Sequence, residues 1–386
     1  MAKSLSMSPL TVTESPSTDA STETIFDEGQ RYFDALVEAI KRARTAVYLE
    51  VYIFDEDAVG QRVCRALIDA VQRGVIVRVV MDAVGSFGSI SSVSDQLENG
   101  GVSVRVFHPL PWQLRLYPKS IKRGNYLNKS LYFLRKINRR DHRKLCVIDH
   151  QLMFTGSFNL SASHLAEYLG GGGWRDLGIQ IEGPRAVVAA SQFDAVWDRQ
   201  ELSITGRHYA PIFSNLTSWA RHRKNLAFEN LITEANHRIW ITSAYFAPSA
   251  RVIRALKQAV AKEVDVRIIV PARSDIHLFP FLTATYYEDL LGAGIKVYEY
   301  LPSVLHTKCL IADDHCVIGS TNFNHRSFLH DLELDIVLTR AETLTRVEHI
   351  FRTDISNSRH LDEGASNSSS KNWLLKLLSR TLRYWM

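Results

Sequence analysis

The sequence predicts a duplicated α/β fold, and three observations point to it. The pattern His-x-Lys-x4-Asp occurs twice, as His142, Lys144 and Asp149 and again as His306, Lys308 and Asp313. Each copy runs into a Gly-Ser-x-Asn turn, Gly156-Ser157-Phe158-Asn159 and Gly319-Ser320-Thr321-Asn322. Around both copies the same strand-like and helix-like segments recur in the same order. That makes the chain two tandem α/β repeats, not one domain with a scattered site.

In the first repeat, residues 46–54, ending Val51-Tyr52-Ile53-Phe54, read as a strand, and a helix follows. A strand over 73–80, a helix ending at Asn99-Gly100-Gly101 and a strand over 102–107 complete the run to the first motif. The second repeat matches it with a strand at 238–246, a helix to about Lys262, a strand at 264–270, the segment 289–294 and a strand at 295–300. After each motif comes another strand led by an acid, Asp176 before Leu177 to Ile181 and Glu333 before Leu334 to Leu338. The repeats span 25–206 and 226–354. Between them, 207–225 reads as a linker containing Pro211 and a basic cluster at 221–224. Residues 1–24, rich in Ser and Thr, read as disordered, and 355–370 as a flexible tether.

The 386 residues suffice for two cores. No apolar run approaches the roughly 20 residues that span a bilayer, and no signal-peptide pattern opens the chain. Cys64, Cys146, Cys309 and Cys316 lack metal-type spacing and read as buried, reduced thiols of a cytosolic-side protein. From Arg115 to Lys144 there are eleven Lys or Arg and one acid, Asp141, against a whole-chain net charge of +5, so the remainder is net acidic. Tyr117, Tyr126, Leu127, Leu131, Tyr132, Phe133 and Leu134 interleave with those cations. The mixture suits an anionic partner, phospholipid head groups or a nucleic-acid backbone. Residues 371–386 form a basic amphipathic pattern with Trp373, Tyr384 and Trp385 and no acid. Such a helix lies in a membrane interface; docking on the protein body is the alternative.

Histidine and lysine two apart on a strand share a face. Two such strands brought together give two imidazoles flanking a phosphate, one to attack it and one to protonate the leaving oxygen, beside fixed cations. That site needs neither metal nor cofactor, and a lysine partner is a poor metal ligand. Glycines 170–173 lack the strand-to-helix setting of a phosphate-binding loop and read as a loop near the site. Residues 278–282 either line an acyl channel or begin a core helix.

The paired motifs resemble the phospholipase D superfamily over about residues 25–350. The segments 139–144, 174–184, 245–248, 293–300, 324–327 and 48–60 are similar to bacterial cardiolipin synthases, of the short, peripheral type lacking N-terminal transmembrane helices. The resemblance implies two phospholipase D-like repeats with mixed β-sheets flanked by helices and an active site at the pseudo-two-fold interface. It implies a phosphatidyltransferase forming cardiolipin from phosphatidylglycerol and a second phospholipid through a phosphatidyl-histidine intermediate. Hydrolysis to phosphatidic acid, or a nuclease of the same superfamily, are the alternatives.

On this resemblance His142 is the nucleophile and His306 the acid and base. Lys144, Lys308, Asn159 and Asn322 would hold the non-bridging oxygens, helped by Ser157 and Ser320. Asp176 and Glu333 would orient the imidazoles, and Asp149 and Asp313 complete the motifs by ordering their turns. The implied partners are an anionic phospholipid substrate and a membrane surface met by 115–144 and 371–386, at the cytoplasmic face of the cell membrane, with nucleic acid disfavoured. One departure stands out: six residues separate Asp149 from Gly156, but five separate Asp313 from Gly319. The turn Asp313-Asp314-His315 is expected to absorb the loss; otherwise Ser320 and Asn322 would face the wrong way.

Overall fold

The computed structural model describes residues 20–198, apart from Arg123, and 212–362. The first half contains β1 (Thr22–Phe26), α1 (Gly29–Arg42), β2 (Ala46–Val51), α2 (Ala58–Gln72), β3 (Ile76–Asp82), α3 (Ile90–Asn99) and β4 (Ser103–Phe107). It continues with α4 (Tyr126–Arg135), β5 (Leu145–Ile148), β6 (Leu152–Gly156), β7 (Gly178–Glu182) and α5 (Pro184–Asp198). The second half opens with β8 (Ile212–Ser214), α6 (Ser218–Glu234), β9 (Arg238–Ser243), α7 (Ala250–Ala261), β10 (Asp265–Pro271), α8 (Phe279–Ala284) and α9 (Tyr287–Leu291). It ends with β11 (Lys296–Tyr300), β12 (Lys308–Ala312), β13 (His315–Gly319), α10 (His325–Leu329), β14 (Leu334–Val337), α11 (Ala341–Ser356) and β15 (Ser358–His360).

The sheets repeat one another. The first has the order β1-β7-β6-β5-β2-β3-β4, and the second, from the equivalent edge, β8-β14-β13-β12-β9-β10-β11-β15. In each, three strands run parallel and pair antiparallel with the hairpin that carries the motif. β2 is buried at all six positions, because helices and the second half cover both its faces. α1 sends Tyr32, Phe33, Leu36, Val37 and Ile40 inward at helical spacing. Asp57 starts α2 by accepting from the N–H groups of Val59 and Gly60. Between the sheets lies one apolar cluster shared by both halves. Leu145, Ile179 and Phe193 belong to it, with Trp240, Ile311, Ile318 and Phe351 from the other repeat. This shared core fixes the two motifs relative to each other.

Three boundaries differ from those read in the sequence. Thr22, Glu23 and Thr24, assigned to a disordered terminus, belong to β1, and Glu23 is tied down by Arg185, Thr339 and Thr343. The described part of the supposed linker, from Ile212, is β8 and the start of α6. β8 pairs with β14, and Thr217 caps the helix through the N–H of Ala220. The basic cluster misled there: Lys224 is buried, donating to Thr321 at 2.6 Å and facing Asp335 at 3.5 Å. The described part of the supposed tether is the end of α11 and β15, which extends the second sheet against β11. Residues 1–19, 199–211 and 363–386, including the amphipathic C-terminal segment, lie outside the described residues. No helix among the described residues is long and apolar enough to cross a membrane.

The hairpins absorb the one-residue difference between the motifs. β5 and β6 are joined by three residues, with Asp149 at φ 52° and His150 at φ 57°. β12 and β13 are joined by two, with Asp313 at φ 48°. Leu145 pairs with Thr155 as Cys309 pairs with Ile318, so Gly-Ser-x-Asn keeps its facing in both halves. The repeats differ most before the motif: 108–141 separate β4 from His142, but only 301–305 separate β11 from His306. The basic segment and α4 are therefore an insertion peculiar to the first repeat. Residues 278–282 begin α8, with Phe279 and Leu282 buried and Phe281 exposed.

Candidate active site

His142 and His306 each precede the first strand of a motif hairpin, and each is held by the other repeat. The N–H of His142 donates to Leu332 O at 3.0 Å, and that of His306 to Arg175 O at 2.8 Å. The rings follow the same crossing. Nδ1 of His142 lies 3.1 Å from Glu333 Oε2 and 3.1 Å from Ser320 O, both in the second repeat. Nδ1 of His306 lies 2.7 Å from Asp176 Oδ2, in the first. With Nδ1–H given to a carboxylate, Nε2 of each ring is left to carry either a lone pair or a proton. The halves form one site because each supplies the acceptor that orients the other's imidazole.

Strand alternation puts Lys144 and Lys308 on the same face as the histidines, each ammonium donating to the carbonyl of the histidine two residues earlier. Arg143, between them, faces the opposite way into a buried ion pair with Glu50 and Asp141. Ser157 and Ser320, anticipated beside the phosphate, instead donate to Asp176 and Glu333. Asn322 has its amide oxygen held by the N–H of Tyr245 at 3.2 Å, leaving its NH2 group to meet an anion. Asn159 occupies the equivalent turn, its N–H given to His164 Nε2 at 3.2 Å. Asp149 and Asp313 stand apart, at the far ends of β5 and β12. They accept from the N–H groups of Arg44, Thr45 and Ala46, and of Asn236, His237 and Arg238. These bonds fasten the turn before β2 and the turn before β9.

Burial, then the charges of Lys144 and Lys308, hold His142 well below its ordinary value. Burial and Lys308 also lower His306, but Asp176 opposes them. Burial brings Lys144 down to about 7, helped by Lys308, and Lys308 to about 8. The carboxylates diverge. Burial would raise Asp176, but His306, then His164 and Lys308, carry it well below the carboxylate range. Burial raises Glu333, against the pull of Lys224, Ser320 and Ser327. The His306 side thus holds the firmer negative charge.

Three residues escaped the sequence reading. Tyr52 and Tyr245, just beyond β2 and β9, pack against His142 (4.9 Å between ring centres) and His306 (6.2 Å) and lie under Lys144 and Lys308. His164 sits with Nδ1 3.3 Å from Asp176 Oδ2. Because its Nε2 accepts from Asn159, its proton resides on Nδ1, beside the carboxylate but without a hydrogen bond to it. Burial depresses it to about 3, so it stays neutral. His164, Asp176 and His306 bring metal-ligand atoms together; of the His164 nitrogens, Nε2 is committed to the N–H of Asn159, and Nδ1 is buried without a hydrogen-bond partner. The signal for His164 was internal. It lies five residues after Asn159, as Ser327 lies five after Asn322, and Ser327 Oγ likewise accepts the asparagine N–H.

The family described as cardiolipin synthase, PLD-like domain, matches residues 36–197 and 228–355. The chain is 30% identical over 354 residues to cardiolipin synthase A of Pseudomonas fluorescens, covering 89% of this chain and 70% of that protein. It is 28% identical over 376 residues to cardiolipin synthase of Halalkalibacterium halodurans, covering 93% and 70%. Among solved structures, phosphatidylserine synthase of Haemophilus influenzae superposes with a TM-score of 0.66 at 13% identity, covering 94% of this chain and 95% of that one. This last likeness is one of fold.

Proposed function

The chain belongs to the family of cardiolipin synthase, phospholipase D-like domains, and on that premise we propose that it transfers a phosphatidyl group between two phospholipids. The observation that carries the reading is the crossed pair of histidines, each with Nδ1 on a carboxylate of the other repeat. His142 Nε2 attacks the phosphorus of a first phosphatidylglycerol. The bond from phosphorus to the head-group oxygen breaks, and that oxygen takes the proton of His306 Nε2 as glycerol leaves. A phosphatidyl-His142 intermediate remains. His306 then removes the proton of the terminal hydroxyl of a second lipid, whose oxygen displaces His142 to give cardiolipin. Lys144, Lys308, Asn159 and Asn322 hold the non-bridging oxygens as charge builds.

The electrostatic difference between the half-sites supports these roles. His142, depressed most, is the imidazole that starts neutral; His306, on the ionised Asp176, is the one suited to carry the proton. Transfer to an alcohol rather than to water is favoured by enclosure, since His142 and His306 are 8% and 3% exposed and the Trp174 ring packs, tilted, 5.6 Å from that of His306. Access to lipid is supplied by α4. It turns Leu127, Leu131 and Leu134 outward beside Lys122 and Lys136, with Trp112 and Leu114 exposed just before it, a surface suited to the cytoplasmic leaflet of a membrane.

Mass spectrometry of the lipids formed from phosphatidylglycerol vesicles by the purified full chain tests the proposal. Cardiolipin with free glycerol is the expected outcome. Phosphatidic acid alone would make the enzyme a hydrolase, and no lipid product would turn the search to nucleic-acid phosphodiesters.

A further inference from the structure

Two cavities flank the catalytic centre, and the internal repeat relates them. One, of about 610 Å³, is bounded by the end of β4 at Phe107 and His108, the entry to α6 at 216–218, and Leu332, next to Glu333. The other, of about 760 Å³, is bounded by the end of β11 at Tyr300, the entry to α1 at 27–30, and Arg175, next to Asp176. β4 corresponds to β11, α6 to α1 and Leu332 to Arg175, so the two occupy equivalent places in the duplicated fold. Neither is lined by a catalytic histidine or lysine.

Their charges differ. The cavity beside Arg175 is balanced from within: Arg175 meets Asp27 at 3.2 Å and Asp354 at 2.9 Å, and Arg346 meets Asp27 at 2.8 Å. The cavity beside Leu332 is lined by Lys136, Arg139, Arg221, His108 and His330, and by no carboxylate among the described residues. The nearby acids are engaged elsewhere, Asp331 with Arg326 at 2.7 Å and Glu333 with His142 and Ser320. Arg221 Nη1 is buried and meets no acceptor. Burial, then the neighbouring charge of Arg139, lowers Arg221 to about 10. A guanidinium taken from water without an acceptor is costly, and an anion between the two arginines would offset that cost. The first turn of the 17-residue α6 lines the same space and adds its N-terminal partial charge.

We infer that the cavity between Arg139 and Arg221 is a binding site for a phosphate group, distinct from the catalytic centre and made by the charge asymmetry between two equivalent cavities. Bidentate guanidinium contacts suit a phosphate monoester or diester. The remaining wall includes the apolar side chains of Ile121, Ile137, Val196 and Leu329, which could take the first carbons of a lipid tail. The site adjoins the reaction through the backbone, since Leu332 accepts from the N–H of His142 and donates to Arg140 O at 2.8 Å. It does not depend on whether the enzyme transfers or hydrolyses.

The test is calorimetric titration of the full chain with tungstate, a phosphate mimic that fills the catalytic centre as well. Two sites per chain are expected in the wild type. Arg221→Gln should weaken one of them by about tenfold to a hundredfold, the worth of a charged hydrogen bond, and Lys136→Gln on the exposed rim should weaken the same one less. Lys144→Gln with Lys308→Gln should spare it. Displacement of tungstate from the Arg221-dependent site by dihexanoyl phosphatidic acid would identify a lipid head group; displacement by inorganic phosphate alone would identify a free phosphate. One site in the wild type, or two undiminished sites in both Arg221→Gln and Lys136→Gln, would overturn the inference.

Discussion

His164 shows how the two half-sites part company. Its counterpart Ser327 gives Glu333 a hydroxyl, whereas His164 gives Asp176 a second imidazole. His164→Leu removes the acceptor of the Asn159 N–H and the polar neighbour of Asp176, and should lower kcat about tenfold, roughly the worth of one buried hydrogen bond, with KM little changed. His164→Gln can both donate to Asp176 and accept from Asn159, and should retain most of the rate. Equal losses in the two variants would reduce His164 to a packing residue. The lysines set the pH response. In the free enzyme Lys144 titrates at about 7 and Lys308 at about 8, so kcat/KM should fall as pH rises through that range and the cations are lost. A bound phosphodiester favours the protonated lysines, so the alkaline limb of kcat should lie at higher pH than that of kcat/KM. Coincident limbs would show that the lysines do not meet the substrate.

At the scale of elements, α4 is the addition that distinguishes the first repeat. Replacing Leu127, Leu131 and Leu134 together by Ser should weaken binding to anionic vesicles by at least about tenfold, given the apolar area each would bury. Turnover of detergent-dispersed lipid should stay unchanged; unchanged vesicle binding would remove α4 from the membrane contact. Much of the architecture was legible because paired strands of both repeats carry apolar runs in the same order, and because His-x-Lys alternation declares a shared face. β1 and β8 were not legible. They are short edge strands whose pairing is decided by distant partners, as Glu23 is by Arg185, Thr339 and Thr343. The start of α6 was hidden by its basic cluster, since nothing local shows that Lys224 is buried against Asp335. Asp176 and Glu333 were legible as acids leading a strand, but not that each crosses to the other repeat's histidine. The roles of Tyr52 and Tyr245 likewise required the fold.

Across the whole molecule, duplication supplies two equivalent half-sites and divergence gives them different neighbours. The shared core between the sheets brings the motifs together, and the crossed carboxylates make either half incomplete alone. What separates the histidines is their surroundings: the ionised Asp176 with His164 on one side, the protonation-prone Glu333 with serines on the other. Peptide mass spectrometry after alkaline quenching of the wild-type enzyme with phosphatidylglycerol reads that asymmetry directly. A phosphatidyl adduct on the peptide carrying His142, with none on the peptide carrying His306, is the predicted result. An adduct on His306, or no adduct on either during turnover, would contradict it.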